Sequence, residues 1–301
     1  MTVVDATGAD SPLSLREGEQ TLTGWGRTAP SAGIVRRVRT VDDIRAAISD
    51  AGPRGILARG LGRSYGDAAQ SGGASILALS AMNRIELDPA TGTAHVGAGA
   101  RLDSVMRALV PHGWFVPVTP GTRMVTVGGA IAADVHGKNH HRDGTFGSHV
   151  ETMTLVDGRG EVHVVDRESS PEGFWATVGG MGLTGIVTQA TFDLIPITSS
   201  RISVDTERTS SLDDVMDRMI TGDDAYRYSV AWVDSVHPSG RGVLTRGDHA
   251  SADQLAGKAA QAPLEFEPKV LATAPPIPTN GLVNPLTMRA FNEAWFRKAP
   301  K

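Results

Sequence analysis

Two glycine-rich loops constrain the fold of this chain more strongly than any other sequence feature. The first, Arg59–Asp67, follows the apolar strand pattern ILA, and the second runs from Pro120 to Ala132, about sixty residues later. Glycine allows backbone conformations and close approaches that other residues do not, and backbone N–H groups in such loops suit an anion such as phosphate. Taken alone, the first loop is explained equally well as a structural turn without a ligand. For the second loop, the alternative is close packing between helices. Together they favour a ligand that carries two phosphates.

Neither loop matches a standard nucleotide-binding motif. Gly60 and Gly62 form a G-x-G pair, but the third glycine of the dinucleotide fingerprint and the lysine of a Walker A loop are both missing. The ligand class therefore stays open on these residues alone.

Composition excludes several classes of protein. The net charge of −4 over 301 residues, with no clustered Lys/Arg block, argues against nucleic-acid binding. The chain contains no cysteine, which excludes disulfides, iron–sulfur clusters and thiol catalysis. Its polar first residues lack the pattern of a secretory signal, and no apolar run is long enough to span a bilayer.

The periodicity of apolar residues predicts an α+β protein with two domains. Residues 1–20 lack periodicity and predict a disordered leader. Residues 21–197 mix strand and helix patterns and close with a long alternating strand before Pro196. Residues 198–301 begin a new α+β pattern, become loop-like after about residue 248 and stop without a closing element. We expect this second domain to be partial and the chain to be truncated.

Two helices are predicted from specific signals. Thr40 and Asp43 form a capping box that opens a helix over residues 41–51, and Gly52 with Pro53 ends it. A second helix is predicted after Gly99, because four apolar residues recur on one of its faces. These four are Leu102, Val105, Met106 and Leu109.

The two loops resemble the flavin-contacting segments of the vanillyl-alcohol-oxidase superfamily. GLGRSYGD at 60–67 and PGTRMVTVGGAIAADVHGKNHH at 120–141 carry this resemblance, and within the superfamily they are similar to the decaprenylphosphoryl-ribose oxidases. LTGWGRTAPS, FWATVGGMGLTGI and AWFRK add to it. The resemblance implies a PCMH-type FAD-binding domain of two α+β subdomains, followed by an α+β substrate domain.

The resemblance also implies a set of cofactor-binding residues. In many superfamily members a histidine attaches FAD covalently, but Arg63 stands at that place, so we expect non-covalent FAD. The implied FAD-contacting residues are Arg59, Gly60, Leu61, Gly62, Arg63, Ser64, Tyr65, Gly66, Gly121, Thr122, Thr126, Val127, Gly128, Gly129, Ala132, His136, Gly182, Thr184, Gly185 and Ile186.

Two residues of the HGKNHH segment are the implied catalytic groups. His136 is suited to accept the proton of the substrate hydroxyl, and Lys138 is suited to pair with a substrate phosphate or to polarise the alkoxide. Which of the two residues performs which role stays open. Trp232 is expected to form a wall of the substrate cleft. Without the resemblance, His136 would be interpreted as a space-filling histidine and Trp232 as a core residue.

A metal site in the same segment is the less favoured interpretation. His136 and His140 are spaced i and i+4, as zinc ligands on one helix face often are. Gly137 and Asn139 lie between them, His141 follows, and the segment offers no nearby carboxylate other than Asp143. We therefore expect no metal.

The family implies oxidation of the 2-hydroxyl of decaprenylphosphoryl-β-D-ribose to a 2-keto sugar, in the synthesis of the cell-wall arabinan precursor. It also implies a separate NAD-dependent reductase that acts next, peripheral membrane contact through the lipid substrate, and a location on the periplasmic side of the cell envelope. Two alternatives stay open. One is an FAD-dependent oxidase of a soluble alditol or aldonolactone, and the other is a non-catalytic flavin-binding remnant.

Overall fold

The computed structural model describes residues 2–4, 15–268 and 284–300. The chain divides into two compact units. Unit 1 comprises Met1–Gly137 and Gly144–Pro196, and unit 2 comprises Lys138–Asp143 and Ile197–Lys301. The chain therefore crosses into unit 2 for six residues of the HGKNHH region and returns before crossing again after Pro196.

The first sheet of unit 1 is small and mostly parallel. Its strand order is β2-β3-β5-β4, with β3 and β4 parallel to β5 and β2 antiparallel to β3. The strands are β2 (Gly18–Leu22), β3 (Ser31–Arg37), β4 (Ile56–Arg59) and β5 (Ser75–Ala78). All four residues of β5 are buried, as expected for a central parallel strand.

Helix α1 (Val41–Ser49) connects β3 to β4 and begins as predicted. The Thr40 side chain accepts a hydrogen bond from the Asp43 backbone, and the Asp43 carboxylate accepts one from the Thr40 backbone. These reciprocal bonds satisfy two donors at the helix start that would otherwise have no partner. The predicted capping box is confirmed.

The second sheet of unit 1 is larger and antiparallel, with the order β1-β6-β7-β11-β9-β10. Its strands are β1 (Thr2–Val4), β6 (Ile85–Asp88), β7 (Thr93–Gly97), β9 (Val150–Val156), β10 (Val162–Asp166) and β11 (Ile186–Asp193). A two-residue pair, β8 (Trp114–Phe115) and β12 (Ile195–Pro196), adds a short third sheet.

Three helices complete unit 1, namely α2 (Leu102–Leu109), α3 (Val127–Ala132) and α5 (Pro171–Thr177). The four residues predicted to form one face of α2 are all buried. Phe146 and Phe192 are also fully buried, and their ring centroids lie 5.3 Å apart. Burial of such rings is a large part of the hydrophobic stabilisation of a core.

Unit 2 is built on a three-stranded antiparallel sheet with the order β13-β15-β14. The strands are β13 (Ile202–Thr209), β14 (Tyr228–Val233) and β15 (Gly242–His249). The helices are α4 (His140–Asp143), α6 (Leu212–Gly222), α7 (Lys258–Gln261) and α8 (Pro285–Lys298). On one face, Glu207 of β13 forms ion pairs with Arg218 of α6 and Arg246 of β15.

The predicted α+β class is confirmed, but the structure differs from the sequence analysis at both ends of the chain. Within the predicted disordered leader, Thr2–Val4 pairs with β6 and strand β2 already begins at Gly18, while residues 5–14 lie outside the described residues. In the region expected to be loop-like, α8 forms a 14-residue helix. Asn284 caps it, with Pro285 at its first position, a start signal that the sequence analysis overlooked.

Truncation of Phe192 should destabilise unit 1. Phe192→Ala leaves a cavity beside Phe146, so we expect a loss of about 3–5 kcal/mol in the free energy of unfolding. Urea unfolding followed by circular dichroism measures it. Val164→Ala is the matched control because Val164 is 67% exposed, and an equal loss in both variants would contradict the packing argument.

His249 should make the stability of unit 2 depend on pH. Burial, with a further contribution from Arg227, lowers the pKa of His249 from 6.5 to about 4. Between these values the unfolded chain binds a proton that the folded chain does not, so stability falls as the pH drops from about 6.5 towards 4. His249→Gln should flatten this slope in urea unfolding measured at several pH values. Substitution of the exposed His237 by Gln should leave the slope unchanged.

Candidate functional site

Both glycine loops of unit 1 open into one cavity. The lining residues come from the ends of β4 and β7, from α3 and from the start of β11. They are Ala58, Arg59, Gly60, Ser64, Ala68, Ala69, Leu79, Ala98, Thr126, Gly128, Gly129, Ala132, Ala133, Thr177, Met181, Gly182, Gly185, Ile186 and Val187.

Arg59 holds the first loop in its shape from inside. Its side chain donates hydrogen bonds to the carbonyls of Ala69 (2.5 Å) and Thr23 (2.8 Å), and the residue is buried. Burial lowers the pKa of Arg59 below its usual value. Gly62 passes directly over this guanidinium with φ +60°, and a Cβ there would lie 2.2 Å from Arg59 Nη2. Glycine is therefore required at position 62.

The backbone of the first loop offers unused hydrogen-bond donors. Among the described residues, no hydrogen-bond acceptor is found for the N–H groups of Leu61, Gly62, Arg63 and Ser64. Consecutive N–H groups of this kind form the nests that bind phosphate and other anions. This part of the site therefore fits the pyrophosphate of a dinucleotide.

The second loop behaves differently from the sequence interpretation. The N–H groups of Val127 and Gly128 donate to the carbonyls of Ala100 (2.9 Å) and Ala98 (2.8 Å), and that of Gly129 donates to Thr126 Oγ1 (3.2 Å). The first three donors of α3 are thus engaged within the protein. Gly128 instead permits close packing, because a Cβ there would lie 3.0 Å from the Cβ of Ala98.

The two loops contact each other directly. A Cβ on Gly60 would lie 2.3 Å from Thr126 Oγ1, so only glycine allows this approach. Arg63 adds a second link, because its Nε donates to the Met124 carbonyl at 3.1 Å and its guanidinium lies 4.5 Å from the ring centroid of Trp25. Burial lowers the pKa of Arg63 as well. Loop 59–67, loop 120–132 and Trp25 therefore form one wall.

A third segment, Thr177–Ile186, completes the cavity. Met181 donates its backbone N–H to the Ala132 carbonyl at 2.8 Å, which attaches the segment to α3. The hydroxyls of Thr177 and Thr184 lie 3.0 Å apart, so Thr184 supports a lining residue. Gly185 has φ +151°, and a Cβ there would lie 2.6 Å from the Val156 carbonyl oxygen, which explains the glycine at the entry to β11.

The predicted cofactor residues divide into three groups in the structure. Ten of them line the main cavity: Arg59, Gly60, Ser64, Thr126, Gly128, Gly129, Ala132, Gly182, Gly185 and Ile186. Leu61, Gly62 and Arg63 line a second cavity, which shares Gly60 and Thr126 with the first. The remaining residues line neither of the two cavities: Tyr65, Gly66, Gly121, Thr122, Val127, His136 and Thr184.

Apart from Ala132 and Ile186, the alanines and apolar residues of the cavity wall were not predicted from the sequence. Ala58, Ala68, Ala69, Ala98 and Met181 are examples. Alanine is common in every part of a protein, so these residues give no sequence signal individually. Their position beside the glycines is the usable signal, since small side chains extend the room that a glycine loop provides.

The predicted catalytic residues are neighbours in sequence but belong to different units. His136 forms an isolated β-bridge with Thr145 in unit 1, and its side chain is exposed. Lys138 belongs to unit 2, where its carbonyl accepts a hydrogen bond from the Ser229 N–H at 2.8 Å, and its side chain is exposed too. Trp232 lies in β14 opposite Val243 and is partly buried.

The fold and the cavity define a flavoprotein with a PCMH-type FAD-binding domain. In this chain, residues 32–166 match the family model described as an FAD binding domain. FAD is its cofactor. The free donors of residues 61–64 and the glycine approaches around them fit that group.

Among curated proteins, the chain is 45% identical over 287 residues to the decaprenylphosphoryl-β-D-ribose oxidase of Mycolicibacterium smegmatis. The matched region covers 92% of this chain and 62% of that protein. It is 34% identical over 101 residues to the D-arabinono-1,4-lactone oxidase of Eremothecium gossypii, or 34% of this chain and 19% of that one. Cytokinin dehydrogenase 2 of Arabidopsis thaliana is 27% identical over 135 residues, or 45% and 27%. The chain thus spans less than two thirds of each of these relatives.

Two alanine substitutions in one loop should separate close packing from loop composition. Gly60→Ala forces the loop away from Thr126, and overpacking of this kind costs about 1–3 kcal/mol, so we expect FAD affinity to fall roughly tenfold or more. Gly66→Ala should leave affinity unchanged, because nothing lies within 4 Å of a Cβ at Gly66. Titration with FAD, followed by quenching of its fluorescence, measures both. Equal affinities would contradict the contact between the loops.

Proposed function

We propose that this chain takes part in the FAD-dependent oxidation of the 2-hydroxyl of a polyprenylphosphoryl-β-D-ribose to the 2-keto sugar. The observation that carries the proposal is the 45% identity, over 92% of the chain, to a relative whose name states the oxidation of decaprenylphosphoryl-β-D-ribose. The cavity between the glycine loops supports the cofactor part of the proposal, and the HGKNHH segment supports the substrate part.

The cofactor is held by unit 1. The N–H groups of residues 61–64 bind its pyrophosphate, while Thr126 and the alanines beside it form the wall along the rest of the molecule. Arg63 stands where a histidine would attach the flavin, so FAD is bound without a covalent bond. Bound FAD supplies the acceptor for the hydride that leaves C2 of the ribose.

His136 takes the proton of the substrate hydroxyl. When C2–H leaves as hydride, the C2 oxygen becomes a carbonyl and its proton must move to a base. Imidazole is the side chain suited to this transfer near neutral pH, and the His136 side chain is exposed, so a substrate can reach it.

Lys138 provides positive charge two residues further on. Its ammonium either pairs with the phosphate of the substrate or stabilises the alkoxide as the proton leaves.

Trp232 forms a wall of the sugar site. Because the substrate carries a polyprenyl chain, the protein works at a membrane surface and contacts the bilayer peripherally. The periplasmic side of the cell envelope is what the family resemblance implies. None of the described helices is long and apolar enough to cross a bilayer.

The 2-keto product must be reduced again to give the arabinose configuration. An NAD-dependent reductase that accepts a polyprenylphosphoryl 2-keto sugar is the partner that this chemistry requires. It acts after the oxidation step and takes the lipid-linked 2-keto product.

A second candidate function is oxidation of a soluble aldonolactone or alditol. The 34% identity to D-arabinono-1,4-lactone oxidase favours it, although it covers 34% of this chain against 92% for the first relative. A third candidate, a flavin-binding protein without catalysis, predicts FAD binding with no reduction by any of these substrates.

Anaerobic mixing of the FAD-loaded chain with each substrate class distinguishes the three. Loss of the visible flavin band with a short-chain prenylphosphoryl-β-D-ribose, and not with L-galactono-lactone or xylitol, is the expected result. Reduction by the soluble substrates alone would establish the second candidate. A chain that binds FAD and is reduced by none of them would contradict both enzymatic functions.

Removal of the proposed base should slow the chemical step. His136→Ala should reduce the rate of flavin reduction about 10²- to 10⁴-fold, the range typical for a general base, while FAD affinity stays unchanged. Stopped-flow absorbance under anaerobic conditions measures the rate. His112→Ala is the control because His112 is an equally exposed histidine that lies outside the HGKNHH segment. A rate within twofold of the unmodified chain would exclude His136 as the base.

A further inference from the structure

The six residues Lys138–Asp143 are held by hydrogen bonds within unit 2. The Ser229 N–H, on the edge strand β14, donates to the Lys138 carbonyl at 2.8 Å. His141 Nε2 lies 3.1 Å from the Tyr226 carbonyl oxygen and 3.3 Å from that of Asp223. Since carbonyl oxygens only accept, this nitrogen carries the proton of the His141 ring. The segment is thus attached to the rest of unit 2 at Lys138 and at His141.

Asn139 and Asp143 close the segment into a compact turn. The Asn139 carbonyl accepts hydrogen bonds from the N–H groups of Arg142 (3.0 Å) and Asp143 (2.8 Å), and Asn139 Nδ2 donates to Asp143 Oδ2 at 2.6 Å. The Asn139 residue is fully buried. Because Asn139 follows Lys138 directly, a fixed Asn139 also fixes the point from which the Lys138 side chain emerges.

Arg227 supplies the charge that holds this turn. Its Nη1 lies 3.3 and 3.2 Å from the two carboxylate oxygens of Asp143, and both side chains are largely shielded from solvent. The Arg227 backbone N–H donates to Asp248 Oδ1 at 2.9 Å, so Arg227 is itself attached to β15. A guanidinium that is fixed in this way is a rigid support for a carboxylate.

We propose that Arg227 is a positioning residue which, through Asp143 and Asn139, presents the Lys138 ammonium at a fixed place to the phosphate of the substrate. This inference rests on the proposed function. Arg227 does not touch the substrate in this scheme. It removes conformational freedom from the segment before the substrate binds, which preserves affinity that ordering of the segment would otherwise reduce.

The chain contains a matched control for this arrangement. Arg241 contacts Asp234 at 3.3 Å, and Asp234 accepts a hydrogen bond from Asn292 at 2.6 Å. The same three residue types are therefore joined in the same unit, but at helix α8 and away from Lys138–Asp143. Arg241→Ala controls for the general effect of removing such a network.

The first measurement is hydrogen exchange of the FAD-loaded chain. Arg227→Ala should speed exchange of the Arg142 and Asp143 amides about tenfold, because the turn opens more often. Arg227→Lys should restore most of the protection, and Arg241→Ala should leave these amides unchanged. Unchanged exchange in Arg227→Ala would overturn the proposal whatever the substrate is.

The second measurement is a double-mutant cycle. Titration calorimetry measures the binding of a short-chain prenylphosphoryl-β-D-ribose to each variant. We expect Arg227→Ala to weaken binding about tenfold when Lys138 is present and less than twofold in the Lys138→Ala background. Equal losses in both backgrounds would show that Arg227 acts on the fold in general, which overturns the proposal while the proposed function stands. If the unmodified chain binds FAD and not this ligand, the proposed function is wrong and the inference falls with it.

Discussion

The close approach of the first glycine loop to Thr126 is the constraint on which the cofactor site depends. A Cβ on Gly60 would lie 2.3 Å from Thr126 Oγ1. The same hydroxyl accepts a hydrogen bond from the Gly129 N–H in the first turn of α3. Thr126 thus contacts both the first glycine loop, which follows a strand of the parallel sheet, and α3, which lies against the end of β7 in the antiparallel sheet. The buried Arg59 side chain donates a hydrogen bond to the Ala69 carbonyl and so supports the first glycine loop. The backbone donors of that loop are therefore held in place before a phosphate binds.

The two glycine loops differ in whether their backbone N–H groups are available to a ligand. The first keeps backbone donors free, which suits an anion, while the second uses its donors on the carbonyls of Ala98 and Ala100. Glycine in the second loop therefore serves proximity and not hydrogen bonding to the ligand. The two roles follow from different neighbours, because α3 lies against the residues that follow β7, and their carbonyls accept its first N–H groups.

Several features could be predicted from the sequence because their causes are local. The capping box of α1 depends on Thr40 and Asp43 alone, and the buried face of α2 depends on residue spacing within eight positions. The glycine loops were located for the same reason. The crossing of Lys138–Asp143 into unit 2 could not be predicted, since it is produced by hydrogen bonds to Ser229 and Tyr226, far away in the chain.

By itself, the sequence determined the α+β class, the positions of the two loops and the residue types that suit a ligand with two phosphates, because each of these follows from short-range pattern and from conformations open only to glycine. FAD as that ligand came from the family resemblance that the loops carry. Only the tertiary structure decided which backbone donors are free and which alanines complete the cavity. It also decided that His136 and Lys138 belong to different units. Hydrogen bonds between distant segments compete for the same donors, and the outcome depends on which strand ends lie beside them once the chain is folded.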